Sequence, residues 1–211
     1  MIVVDTEFTR LDFNKGGLWQ IGALDLENPE NTFLEEAGLD DEDEIEEAAL
    51  DVVGKTEEEL RDKKRQSQKE LLEHFFKWAE STKIKNLICQ GPQWDFGILL
   101  SKSHKYGLNF PFHHRCFDLH SVAQTKHMEI KGKLIIDKDH SDMGLNNILK
   151  FCGMEDPRRR IGRNREIIQE GSPHNALEDC KLEAECFSRL IYGKNLLPEF
   201  VKFKIPECLQ K

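Results

Sequence analysis

The first residues constrain the fold most. Ile2, Val3 and Val4 form an apolar, β-branched run that leads directly into Asp5, Thr6 and Glu7. Such a run reads as a buried strand over residues 2–6, with two carboxylates at its end. Two more strand-like segments follow at close spacing. One covers 18–26 (LWQIGALDL) after turn residues 14–17, and the other covers 32–37 after a second turn at 28–31. Connections this short leave no room for a crossover and imply an antiparallel meander. Then the pattern changes. A capping-box sequence at 56–59 announces a helix, and Leu71, Leu72, Phe75, Phe76 and Ala79 recur at helical spacing. Short apolar strands at 86–89 and 115–119 alternate with helices that start near Trp94, at 144 and at 175, the last running to Tyr192 before Gly193. Three close strands followed by strands alternating with helices describe an α/β chain with an antiparallel half and a parallel half. A length of 211 residues suits one domain. We expect residues 1–193 to form it and 194–211, with Pro198 and Pro206, to pack on it as an irregular tail.

Composition excludes several classes. No run of 18 or more apolar residues exists, so no membrane span is expected. With a strand starting at residue 2 there is no room for a leader, and the chain reads as cytoplasmic. None of the six cysteines forms a C-x-x-C pair, which suits reduced core thiols. His113, His114 and Cys116 lack a second ligand pair at zinc-finger spacing. The acidic stretch 40–47 lacks the glycine a calcium loop requires, and reads as a solvated face. A net charge of −9 argues against coating nucleic acid through the bulk field, but not against a local basic groove.

The chemistry lies in the acids. Asp5 and Glu7 stand two apart on an extended segment, so both leave one face of the strand. They repel each other unless a cation or proton lies between them, and oxygen-rich sites of this kind suit Mg²⁺ or Mn²⁺. Asp95 follows the fourth strand at a helix start, where open α/β sheets place ligands and where an aspartate also serves as a cap. Asp179 falls in the first turns of the last helix between small or apolar neighbours, and is expected to face the sheet. His174 precedes that helix, close enough to swing towards Asp179.

Together these residues resemble the DEDDh family of 3′–5′ exonucleases, which includes polymerase proofreading subunits and ribonuclease T. The family's D-x-E after an apolar run is matched by Asp5-Thr6-Glu7, its aromatic-Asp pair by Trp94-Asp95, and its H-x-x-x-x-D by His174 to Asp179. The likeness covers most of residues 1–193. Two departures concern substrate contacts: Phe8 stands where the family often has threonine, and Gln90-Gly91-Pro92-Gln93 replaces a His-Asn pair.

The resemblance implies a ribonuclease H-like mixed five-stranded sheet, strands 1–3 antiparallel and 4–5 parallel, flanked by helices. It implies that Asp5, Glu7, Asp95 and Asp179 hold two Mg²⁺ or Mn²⁺ ions, with His174 as general base. The product would be a nucleoside 5′-monophosphate from the 3′ end of single-stranded DNA or RNA. Thr6 and Phe8 would lie by the terminal nucleotide. The five arginines at 158–165 (Arg158, Arg159, Arg160, Arg163 and Arg165) would grip phosphates. Some relatives are homodimers, so a homodimer is one expected assembly. The alternative is an exonuclease-like module that holds a 3′ end without turnover.

Overall fold

The computed structural model describes residues 1–162 and 165–211. Element order is β1 (Ile2–Phe8), β2 (Leu18–Asp25), β3 (Asn28–Glu36), α1 (Glu47–Val53), α2 (Glu57–Leu60), α3 (Gln68–Glu80), β4 (Leu87–Cys89), α4 (Pro92–Lys105), β5 (Phe117–Asp118), α5 (Leu119–Lys131), the hairpin β6 (Ile136–Asp137) and β7 (His140–Ser141), α6 (Leu145–Phe151), the hairpin β8 (Arg160–Ile161) and β9 (Ile167–Gln169), and α7 (Ala176–Tyr192). The main sheet has the order β3-β2-β1-β4-β5. β1, β2 and β3 pair antiparallel, while β4 and β5 join in parallel. This is the mixed sheet expected from the sequence.

Alternation along β1 sorts its side chains between two cores. Val3 faces a cluster built with α5, α6 and α7. Ile2 and Val4 face the opposite cluster, with α3 and α4. Asp5 and Glu7 follow the parity of Val3 and point towards α7, whereas Thr6 points towards α4.

Strand lengths place the site. β1 pairs with β4 only at Ile2 and Val3, yet stays paired with β2 out to Phe8. The carboxylate-bearing half of β1 therefore runs past the end of β4 and borders an open space. Gly22, opposite Asp5 in the β1–β2 register, lets α7 approach that space. A Cβ on Gly22 would lie 2.2 Å from the Ala176 backbone. Gln20 Oε1 accepts the Ala176 N–H at 2.8 Å, and Asn175 caps Leu177 and Glu178. Backbone donors at the start of α7 are thus satisfied, and its first turn is fixed over Asp5.

Some boundaries differ from the sequence reading. β1 continues to Phe8, so Asp5 and Glu7 lie inside the strand. β3 starts at Asn28, where a turn was expected. It is an edge strand, and an edge tolerates Pro29. α4 starts at Pro92, because Gly91 (φ 87°) makes the left-handed turn and Pro92 takes the first helical position. β5 is reduced to Phe117 and Asp118.

The acidic stretch 40–47 is not simply solvated. Asp43 is 3% exposed and accepts from Lys102 Nζ at 3.0 Å and from Gln68 Nε2. Asp40 accepts from Lys105 and Tyr106. These acids tie the segment to α3 and α4. Burial lowers the Lys102 pKa despite Asp43.

Beyond α7, Leu209 joins the core cluster and the Phe200 and Phe203 rings pack against it. All six cysteines are free thiols. Among the described residues, no helix is long and apolar enough to cross a membrane.

Candidate active site

Three elements converge at the open end of β1. β1 supplies Asp5 and Glu7, α4 supplies Asp95 from its first turn, and α7 supplies Asp179. His174 lies just before α7. Asp95 comes from the far side of the sheet and is held by Thr6, whose N–H and Oγ1 donate to Asp95 Oδ1 at 2.9 and 2.8 Å. Thr6 is 6% exposed, so it positions Asp95 rather than lining an open surface. Asp95 and Asp179 are 5% and 3% exposed.

His174 and Asp179 meet. Nδ1 of His174 lies 3.2 Å from Asp179 Oδ2, and Nε2 lies 3.1 Å from the Arg159 carbonyl. A carbonyl only accepts, so Nε2 carries a proton and donates. An ionised Asp179 also only accepts, which favours a proton on Nδ1 as well. Burial lowers the His174 pKa, but the hydrogen bond and charge of Asp179 outweigh it and hold it above its ordinary value. Glu7, His174 and Asp179 place ligand atoms within 4.8 Å of one another. Asp5 and Asp95 lie outside that tightest group but within its field.

The electrostatics are those of an overcharged cage. Burial, reinforced by Asp95, Asp179 and Glu7, pushes the Asp5 carboxyl well above its usual range. Glu7 is raised to about 8, chiefly by burial, with His174 opposing. Asp95 is raised to about 7 by burial, despite its bonds from Thr6. Asp179 Oδ1 is buried with no hydrogen-bond partner among the described residues. An orphaned buried carboxylate oxygen is costly. The oxygen-rich donor set and this free oxygen fit a hard divalent cation.

The arginines do not form one exposed basic stripe. Arg158 turns inward, grips Asp156 with Nε and Nη2 at 2.9 and 3.0 Å, and brings Nη1 to 3.6 Å from Asp179. Arg165 forks onto Asp51 and Glu47, both in α1. Arg159 lends its carbonyl to His174, while its own Nε is buried without a partner among the described residues. Arg160 opens β8. Arg163 lies outside the described residues.

Phe8 is half-buried. Its ring meets Phe13 edge-on at 5.9 Å, and Phe13 meets Trp94 the same way at 5.9 Å. Trp94 is 38% exposed. Phe13 was not singled out by the sequence. It packs over α4 where Gly97 leaves room, since a Cβ there would lie 2.4 Å from its ring. The sequence reading also missed Glu183, a buried acid one turn beyond Asp179 whose signal was its place between Leu182 and Ala184 on the apolar face of α7.

The sequence model of the RNase_T exonuclease family matches residues 2–187. The chain belongs to that exonuclease family. No curated protein matches its sequence significantly. Among solved structures, the nuclease domain of 3′hExo, a DEDDh family member bound to rAMP, is 16% identical with a TM-score of 0.63, over 98% of this chain and 95% of that one. Cell-death related nuclease 4 (CRN-4) is also 16% identical, with a TM-score of 0.64 over 92% of this chain and 64% of that one. The zinc-bound E. coli ExoI–ssDNA complex is 12% identical with a TM-score of 0.61, over 91% of this chain and 40% of that one. The chain thus spans nearly all of the first of these structures but under two thirds of the other two. It is an exonuclease by family, and enzymes of this family depend on divalent metal ions.

Proposed function

We propose that this exonuclease removes nucleoside 5′-monophosphates from the 3′ end of single-stranded DNA or RNA, with Asp5, Glu7, Asp95 and Asp179 holding two Mg²⁺ or Mn²⁺ ions. The observation that carries this reading is the cage itself: four clustered carboxylates, three pushed upward, and one leaving a buried oxygen without a partner among the described residues. When bound, the ions supply Lewis-acid stabilisation of charge on the phosphate oxygens.

His174 is the general base. Its Nε2–H donates to the Arg159 carbonyl, which fixes the tautomer and makes Nδ1 the basic atom. Nδ1 faces Asp179 and Glu7. With a cation held by Asp179, the interaction that favours the charged imidazole would weaken, and Nδ1 would take a proton from water near neutral pH.

Arg158 is the arginine best placed for the scissile phosphate. Asp156 locks its fork, so one guanidinium nitrogen is presented to the cage without further loss of side-chain freedom. Phe8, with Phe13 and Trp94 behind it, offers a base-stacking edge. The 3′hExo structure contains rAMP and the E. coli ExoI structure contains single-stranded DNA, which supports a nucleic-acid substrate here.

The test uses matched 3′- and 5′-labelled single-stranded DNA and RNA, incubated with Mg²⁺, Mn²⁺ or EDTA. Metal-dependent laddering from the 3′ end, lost in Asp5→Ala, is expected, and the faster substrate identifies the preferred sugar. Binding of the 3′ end without shortening under either metal would instead make this a non-cutting end-binding module.

A further inference from the structure

α7 carries a second buried acid on the cage side of the helix. Glu183 lies four residues after Asp179, one turn along the same face. It is 2% exposed. It accepts a hydrogen bond from the backbone of Gln90, the residue directly after β4. This contact places it over the gap where β1 outruns β4. Asp95 and Asp179 are the charges it feels most strongly, and Asp5 feels Glu183 in turn. Its Oε2 is buried with no hydrogen-bond partner among the described residues.

A purely structural buried acid would use both oxygens. Glu185, two residues further along α7, does so. Glu183 instead keeps one oxygen free among the same carboxylates that surround the free Oδ1 of Asp179. Arg158 offers it only partial compensation. Hydrogen bonding to Gln90 fixes the group, so little freedom remains to be lost when the free oxygen gains a partner.

We propose that Glu183 is a fifth carboxylate of the metal centre, turning its free oxygen to a divalent cation held beside Asp179, one turn earlier on α7. This rests on the metal reading of the Asp5 cage. An added anionic oxygen raises affinity for a hard cation.

The experiment is calorimetric titration of the metal-stripped full chain with MnCl₂, comparing wild type with Glu183→Gln and Asp5→Asn, and with melting curves as a check of folding. Glu183→Gln keeps the shape and the bond from Gln90 but removes the charge. It is expected to weaken Mn²⁺ binding about 10- to 100-fold, without lowering the metal-free Tm. If Glu183→Gln folds poorly, Glu183→Ala is expected to show the same loss of affinity. Wild-type affinity in either folded variant, beside lost binding in Asp5→Asn, would overturn the role of Glu183 alone. No saturable Mn²⁺ binding by the wild type would overturn it together with the metal reading.

Discussion

α7 carries two pairs of buried charged positions, and they are treated in opposite ways. Towards its C-terminal end, Glu185 and Arg189 are both fully buried, and the protein satisfies them. Arg189 donates to Glu185 at 2.7 Å, to Asn195, and to the carbonyls of Cys152, Phe200 and Phe203. The other Glu185 oxygen accepts from the N–H groups of Leu196 and Leu197 at 2.8 and 3.0 Å. Towards its N-terminal end, Asp179 and Glu183 each leave one buried oxygen with no partner among the described residues. The first pair anchors residues 195–203 to the helix. The second leaves valences that the protein does not fill. One helix can therefore hold both a finished structural ion pair and a site that needs a ligand, and the distinction lies in hydrogen-bond satisfaction rather than in burial.

Substitutions at the two ends should separate in kind. The largest effect is expected at Asp5. Asp5→Asn should lower exonuclease turnover by about 10³-fold or more, corresponding to the several kcal/mol a metal centre supplies, measured with a 3′-labelled oligonucleotide. Because it relieves like-charge repulsion, it should also raise the metal-free Tm by about 3 °C. A fall in Tm would mean that the cage is structural.

Next is Arg189→Ala, which should cost about 3–5 kcal/mol in denaturant unfolding, as expected when one partner of a buried ion pair is removed. Any folded fraction should still bind Mn²⁺.

A smaller effect concerns pH. Glu7 and Asp95 are raised to about 8 and about 7 from 4.5 and 3.8, so folding favours their protonated forms. The stability they contribute is present below their unfolded values and is lost as pH rises through the folded ones. His174, also raised, acts in the same direction. The metal-free Tm should therefore decline between about pH 5 and pH 8, and saturating Mn²⁺ should remove that decline. A flat metal-free profile would contradict the raised carboxyls. Smallest of all, Arg165→Ala breaks only exposed pairs with Asp51 and Glu47 and should leave Tm unchanged, since such pairs are screened by water and salt.

What could be read in the sequence was set by local patterns. The β-branched run at Ile2, the D-x-E spacing and the His174-to-Asp179 interval are short-range, and each kept its meaning in the fold. Glu183 was missed because a glutamate inside a charged helix reads as a solvated face, and its place between Leu182 and Ala184 was the one local sign that it points inward. The arginine loop was misleading for a related reason. The acids that occupy Arg165 are 114 and 118 residues away in the chain, so the sequence shows the cations without their partners. Asp43 illustrates the reverse, an acid in an apparently solvated run whose partner, Lys102, is 59 residues away. The start of β3 was missed because Asn28 and Pro29 carry turn chemistry, and only the edge position makes them acceptable in a strand.

The most direct test of the central claim is anomalous diffraction from crystals soaked in MnCl₂, recorded near the manganese absorption edge. The account predicts anomalous density within the cage bounded by Asp5, Glu7, Asp95 and Asp179, with Glu183 at its wall. Density confined to surface acids such as those at 40–47, with an empty cage, would contradict it.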